Sequence, residues 1–228
     1  MSQILAKKIG MMQVYDNEGV VIPVTVVEAG PCYVVNMRTK EKNGYIALQI
    51  GFGLEKKANK PMEGYFKKIG AKQNFSHLRE FRLNDLTGYS QGQEIKVDSF
   101  KPNELVNVTS TSIGKGFQGI IKRHHANRGP MSHGSKHHRL PGSSGSGTHV
   151  SHVYKGKRRA GRMGGDRVTV KNLLVVSVDP SRNLMLLRGA VPGPKNSFLM
   201  IKSTGHSAKM KEQADKKAKG KEKGKETK

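Results

Sequence analysis

Short runs of apolar and β-branched residues recur along the chain, each closed by turn-forming residues. Ile9–Tyr15 ends at Asp16, Asn17, Glu18 and Gly19, and the valine-dense run Val20–Glu28, interrupted by Pro23, ends at Ala29, Gly30 and Pro31. Cys32–Arg38 resumes the pattern, and Tyr45–Phe52 alternates again after Lys42, Asn43 and Gly44. Glu94–Phe100, Leu105–Ser110, Arg167–Val178 and Asn183–Arg188 complete the set. Short strands separated by turns, with no helical crossovers between them, predict a mainly β protein built on a small barrel rather than parallel βαβ units.

Two stretches break this texture. In residues 54–92, Met62, Tyr65, Phe66 and Ile69 share the spacing of one helical face, which predicts a core-facing helix in an inserted α+β subdomain. The barrel body then comprises residues 1–53, 93–113 and 167–201. From Lys209 onward the chain is Lys, Ala, Gly and Glu, with no large apolar residue after Met210. Such a segment has too little apolar surface to offset its ordering entropy, so residues 202–228 are predicted to be a Lys-rich disordered tail.

Composition and charge sharpen this division. Only 35% of the 228 residues are hydrophobic and 6% aromatic, too little for a core along the whole length. The formal charge of +24 implies a polyanionic partner. It is unevenly spread. Residues 115–167 carry 12 basic side chains against the single acid Asp166, a net of +11. Residues 202–228 carry 10 Lys against four acids, a net of +6, which leaves +7 for the other 148 residues.

The single cysteine, Cys32, excludes an intrachain disulfide and a multi-cysteine zinc module, and reads as a buried small hydrophobe in a reducing compartment. No apolar run approaches the roughly 18 residues that span a bilayer, so no membrane association is expected. Met1–Leu5, followed by Lys7 and Lys8, lacks a secretory apolar stretch, and no detachable targeting segment is expected. The sequons at Asn74 and Asn107 then read as chance matches.

Residues 114–166 hold 12 of the 27 glycines and seven of the nine histidines, with Phe117 and Tyr154 their only aromatics. About 50 residues without periodicity far exceed an ordinary connection. Catalytic readings fail on chemistry. Gly114, Gly116 and Gly119 have dinucleotide-loop spacing, yet no Asp or Glu occurs between Glu104 and Asp166 to hold a ribose. A kinase reading lacks both the His-Arg-Asp loop and Asp-Phe-Gly. The histidines lack carboxylates to orient them as metal ligands, and the surrounding Arg and Lys repel a cation. Ser143, Ser144 and Ser146 miss the nucleophile-elbow spacing. No catalytic residue, metal, cofactor or small-molecule substrate is therefore expected. Arg forks, Lys point charges and glycine backbone able to follow an irregular surface instead predict a loop that penetrates RNA and lacks a stable fold until RNA neutralises it. The competing classes are a general polyanion-binding protein and a nucleotide- or metal-dependent enzyme.

Several motifs, in order, carry a resemblance. They are Lys7-Lys8-Ile9-Gly10-Met11, Val20–Glu28, Gly114-Lys115-Gly116-Phe117-Gln118-Gly119, His133-Gly134-Ser135, Arg139–Ser143, Tyr154-Lys155-Gly156-Lys157, Gly161-Arg162-Met163-Gly164-Gly165 and Arg188-Gly189-Ala190-Val191-Pro192-Gly193. From about Leu5 to Lys202 the chain resembles the large-subunit ribosomal protein L-three family. The resemblance implies a translation-protein-type β-barrel with an inserted subdomain, lying on large-subunit rRNA. It further implies a long internal loop, here 114–166, that reaches towards the peptidyl-transferase region, and a structural, early-assembling role beside neighbouring large-subunit proteins.

The residues expected to bind RNA are Lys7, Lys8, Lys115, Lys122, Arg123, His124, Arg128, His133, Lys136, His137, His138, Arg139, His149, His152, Lys155, Lys157, Arg158, Arg159, Arg162 and Arg167. Some bacterial members carry a methylated Gln in the loop; Thr148 stands at the aligned position, so that modification is not implied. His149–His152 replace a Thr-Pro-Gly-like turn of relatives. The run Arg128–Lys136 resembles the cyanobacterial and plastid branch, which implies a ribosome of the bacterial cytoplasm or the plastid stroma, with the plastid favoured.

Overall fold

The computed structural model describes residues 2–16, 18–71, 73–147 and 151–207. Most of the predicted tail lies outside them, as does His149. The chain divides into two compact units, Met1–Thr111 with Val168–Lys228, and Ser112–Arg167.

In the first unit, six strands close a barrel: β1 (Gln3–Tyr15), β2 (Val21–Ala29), β7 (Glu104–Thr111), β10 (Arg167–Asp179), β11 (Leu184–Arg188) and β12 (Phe198–Ser207), in the order β1-β12-β7-β10-β11-β2. Four further strands form a second sheet, ordered β5-β4-β3-β6: β3 (Cys32–Arg38), β4 (Ala47–Leu54), β5 (Phe75–Arg82) and β6 (Glu94–Ile95). The helix α1 (Lys40–Asn43) links β3 to β4.

The mainly β character and the barrel follow the sequence pattern, but the boundaries differ. Cys32–Arg38 and Ala47–Leu54, expected in the barrel, pair with one another and with Phe75–Arg82 in the second sheet. Residues 54–92 are therefore not a separate body, because β5 lies against β4 in the register Leu48↔Phe81, Ile50↔Arg79. The expected strand over Glu94–Phe100 is only Glu94–Ile95 followed by the 3-10 turn Val97–Ser99. Lys202, the expected start of the tail, sits in mid-strand and pairs with Gln3 and with Asn107. Without Phe198–Ser207 the barrel would stay open between β1 and β7.

Adjacent residues Ile4, Leu5 and Ala6 are all fully buried, so the usual in-out alternation of a strand is absent. One face of β1 looks into the barrel core of Val27, Val106, Val108, Val175, Met185, Leu187, Leu199 and Ile201, and the same cluster continues into Val34, Leu48, Ile50 and Phe81 of the second sheet. Each fully buried Val, Leu or Ile contributes about 1.5–3 kcal/mol relative to exposure, so the core common to the barrel and the second sheet is a large part of the stabilisation.

The predicted helical stripe is α2 (Lys60–Ile69), with Pro61 in its first turn and Gly70, at φ 74°, ending it in the left-handed conformation. Phe66 is buried against Val35 and Phe75, with Tyr65 and Ile69 beside it, while Met62 is left at the exposed margin. The Tyr65 hydroxyl donates to Oε1 of the buried Gln49 at 2.6 Å, which gives that amide oxygen a partner. Cys32 is buried, and its thiol lies 3.4 Å from the Leu5 carbonyl. Among the described residues no helix is long and apolar enough to cross a membrane.

Candidate nucleic-acid interface

The described residues of the second unit, Ser112–Arg167, include two short strands and one short helix. The strands β8 (Gly116–Gln118) and β9 (Gly161–Met163) pair antiparallel as Gly116↔Met163, Phe117↔Arg162 and Gln118↔Gly161, and α3 (Ile120–His124) follows β8. The two legs are clasped at their base by hydrogen bonds from Ser112 N–H to the Asp166 carbonyl at 2.8 Å and from Lys115 N–H to the Met163 carbonyl at 2.9 Å. Asp166 N–H also donates to Ser112 Oγ at 3.2 Å.

A second clasp is built on α3. Arg123 Nη1 donates to the Arg159 carbonyl at 2.8 Å, and His124 Nε2 lies 3.0 Å from the same oxygen. Gly161 makes this possible, since a β-carbon there would stand 2.6 Å from Arg123 Nη1. The Arg159 guanidinium itself meets the Ser144 hydroxyl. Further out, Gly129 N–H donates to the His138 carbonyl at 3.0 Å, His138 Nδ1 lies 2.9 Å from the Pro130 carbonyl, and His137 N–H donates to Ser135 Oγ at 3.3 Å.

No described residue of this unit is buried. Hydrogen bonds of backbone and side chain, rather than a core, link its described residues. Its charges point outward. Among the described residues, the side chains of Lys122, Arg128, Lys136, Arg139, Lys155, Lys157 and Arg158 make no hydrogen bond or ion pair, and the ion pairs Arg38–Glu80, Lys67–Glu63 and Lys96–Glu94 all lie in the other unit. Phe117, 78% exposed, projects from β8, and Tyr154, also exposed, contacts His152 edge to face at 5.6 Å between ring centroids.

The unit therefore gathers Lys115, Lys122, Arg123, His124, Arg128, His133, Lys136, His137, His138, Arg139, His152, Lys155, Lys157, Arg158, Arg159, Arg162 and Arg167 on one core-free scaffold. Arg123 and His124 are half-buried and brace the scaffold more than they face solvent. Lys7 and Lys8 belong to the other unit. Lys7 is exposed on β1, whereas the Lys8 ammonium donates to the carbonyls of Val191 at 2.7 Å and Gly193 at 2.8 Å, and partial burial lowers its pKa. Most of its hydrogen-bonding capacity is already used inside the fold.

The exposed aromatics Phe117 and Tyr154 join the basic residues as candidate contacts, since a planar face turned to solvent beside cations offers base stacking. Their rarity in the segment is the one sequence signal that singles them out. Among the described residues no group of three or more His, Cys, Asp or Glu side chains is placed to hold a metal ion.

The family model described as Ribosomal protein L3 matches residues 53–183. The chain belongs to the ribosomal protein L3 family. The L3 match includes the whole basic unit together with the second sheet from its β4 end onward. Large ribosomal subunit protein uL3 of Heliobacterium modesticaldum is 53% identical over 203 residues, covering 88% of this chain and 96% of the relative. The uL3 of a Synechococcus strain is 50% identical over 87% of this chain and 94% of its own length, and that of Finegoldia magna 49% identical over 89% and 97%. L3 relatives from three genera match at nearly equal identity, which favours neither the bacterial nor the plastid compartment.

Proposed function

We propose that the chain is a structural constituent of the large ribosomal subunit that binds large-subunit rRNA chiefly through Ser112–Arg167. The observation that carries this reading is the pairing of 12 basic side chains and one acid with a scaffold that buries none of its described residues. A surface built that way is completed by a polyanion, because the described side chains of Lys122, Arg128, Lys136, Arg139, Lys155, Lys157 and Arg158 are used by neither a core nor an internal hydrogen bond or ion pair. The outer part of the segment, around Arg139–His152, enters the RNA deepest and runs towards the peptidyl-transferase region, where the chemistry belongs to the RNA. The chain acts early in subunit assembly, its barrel unit lies on the rRNA surface beside other large-subunit proteins, and it works in a bacterial cytoplasm or a plastid stroma. Its role is architectural rather than enzymatic.

Binding of the full chain to large-subunit rRNA fragments over a salt series tests the reading. Log affinity should fall linearly with log salt, by about 0.9 for each duplex phosphate neutralised and about 0.7 for each single-strand one, summing to several units. Salt-independent binding would sink the assignment. Equal affinity for duplex DNA would favour a general polyanion-coating protein instead.

A further inference from the structure

The hairpin formed by β1 and β2 extends beyond the barrel wall. β12 pairs with β1 only over Gln3–Lys7, and β11 reaches along β2 only to Val24, while β1 and β2 continue to pair with each other out to Tyr15↔Val21. Among the described residues no strand other than β2 pairs with Gly10–Tyr15. The arm has no core, yet it is apolar. Met11, Met12, Tyr15 and Val20 are each more than half exposed, and Ile9 and Val21 nearly so.

A two-stranded ribbon is marginal by itself, and an exposed apolar edge invites pairing with another chain. Soluble proteins commonly guard such edges with lysine. This chain has 41 Lys and Arg, but from Ile9 to Met37 there is no Lys, Arg or His, and the charged residues are Asp16, Glu18 and Glu28. Two of those acids stand at the tip of the arm. In a chain of net charge +24, the outer part of the arm, beyond Gly10 where the Lys195 side chain lies alongside, thus carries only acidic charge and is a poor seat for a phosphate backbone.

We propose that this arm is a protein-docking element, whose occupant is a basic protein neighbour that lays a strand or apolar face along Ile9–Tyr15. Resting on the ribosomal reading above, the proposal divides the molecule's contacts by chemistry: Ser112–Arg167 takes RNA, and the β1-β2 arm takes protein. Strand addition supplies main-chain hydrogen bonds to the open edge, the adjacent unbranched side chains Met11 and Met12 adapt to the partner's apolar surface, and Asp16 with Glu18 favours a basic one. A second copy of this chain is the weaker fit, since it would bring the same acids to the interface.

Site-specific photocrosslinking in assembled large subunits tests the proposal, with a benzophenone amino acid replacing Met12 or Tyr15 in the full chain and Phe117 as the RNA-facing control. The expected result is an adduct from Met12 and Tyr15 to one basic protein, and from Phe117 to rRNA. Adding Met12→Lys should cut the Tyr15 protein adduct about tenfold, equivalent to about 1.4 kcal/mol, and leave the Phe117 adduct unchanged. Adducts from the arm to rRNA, to an acidic protein or to a second copy would overturn the proposal, as would a silent arm in particles where Phe117 labels rRNA. Loss of the Phe117 adduct alone would count against the rRNA reading and leave the arm's assignment standing.

Discussion

A β-carbon on Gly164 would lie 2.2 Å from the carbonyl oxygen of Ile113, so the two legs of the basic unit meet where only glycine fits. Gly164 also has φ +72°, a conformation that costs an L-residue about 1–2 kcal/mol. Gly164→Ala should push the legs apart and break the Lys115 to Met163 hydrogen bond. The expected outcome is about a tenfold drop in affinity for an rRNA fragment, on the usual scale of 1.4 kcal/mol per decade. The thermal midpoint, set by the barrel core, should hardly move. A lowered midpoint with unchanged affinity would show that Gly164 supports the core rather than the interface.

Arg158, Arg159 and Arg162 line the return leg, one without a partner, one on Ser144 and one in β9 opposite Phe117. Replacing all three with Gln should lower the slope of log affinity against log salt by about two to three units, roughly one for each phosphate left without its arginine. Subunit assembly should suffer more from this variant than from deletion of residues 209–228, although the deletion removes nine basic side chains against three. Gradient profiles of both variants give the comparison, and the reverse order would contradict the assignment of the interface.

Cys32 should be inert in the native protein. Burial pushes its thiol up to about 12, so very little thiolate exists at pH 8. Iodoacetamide at pH 8 is expected to leave it unmodified until denaturant is added, after which labelling should be rapid. Mass spectrometry distinguishes the two states, and fast native labelling would show that the packing of β1 against β3 opens readily.

His77 gives the barrel unit a pH dependence. Its ring lies 4.6 Å from that of Phe198, and burial, with Arg79 nearby, lowers its pKa from the ordinary 6.5 despite the opposing influence of Glu55. A lowered folded-state pKa means that the unfolded chain binds the proton first as pH falls. Stability from this site is therefore present above about pH 6.5, declines below it, and levels off once the folded pKa is passed. Urea midpoints at pH 7.5 and 5.5 should differ less in His77→Phe than in the parent chain.

Much of the barrel is legible in the sequence because its strands bury one apolar face between clear turns, as in Leu105–Ser110. Phe75–Arg82 is not, because it is an edge strand, where Ser76, His77, Arg79, Glu80 and Arg82 outnumber the inward-facing Phe75 and Phe81. Phe198–Ser207 is hidden in a different way. Ser203 is buried there, and its hydroxyl is satisfied by Glu104 across 99 positions, a pairing that no local pattern reveals. The basic segment is recognisable by charge and glycine content, but its clasps are not. The approach of Arg123 to Gly161 joins residues far apart in sequence, and only the fold brings them together.

The absence of buried side chains among the described residues of Ser112–Arg167 has a calorimetric consequence. The heat-capacity increment of unfolding scales with the apolar surface newly hydrated, ordinarily about 12–15 cal/mol/K per residue. Residues that bury little apolar surface in the free protein add length while adding little to that increment, so the isolated chain should melt with a smaller value per residue than its size suggests. The missing part should appear instead as a negative heat-capacity change when the chain enters the particle, making association the step at which this segment completes its folding.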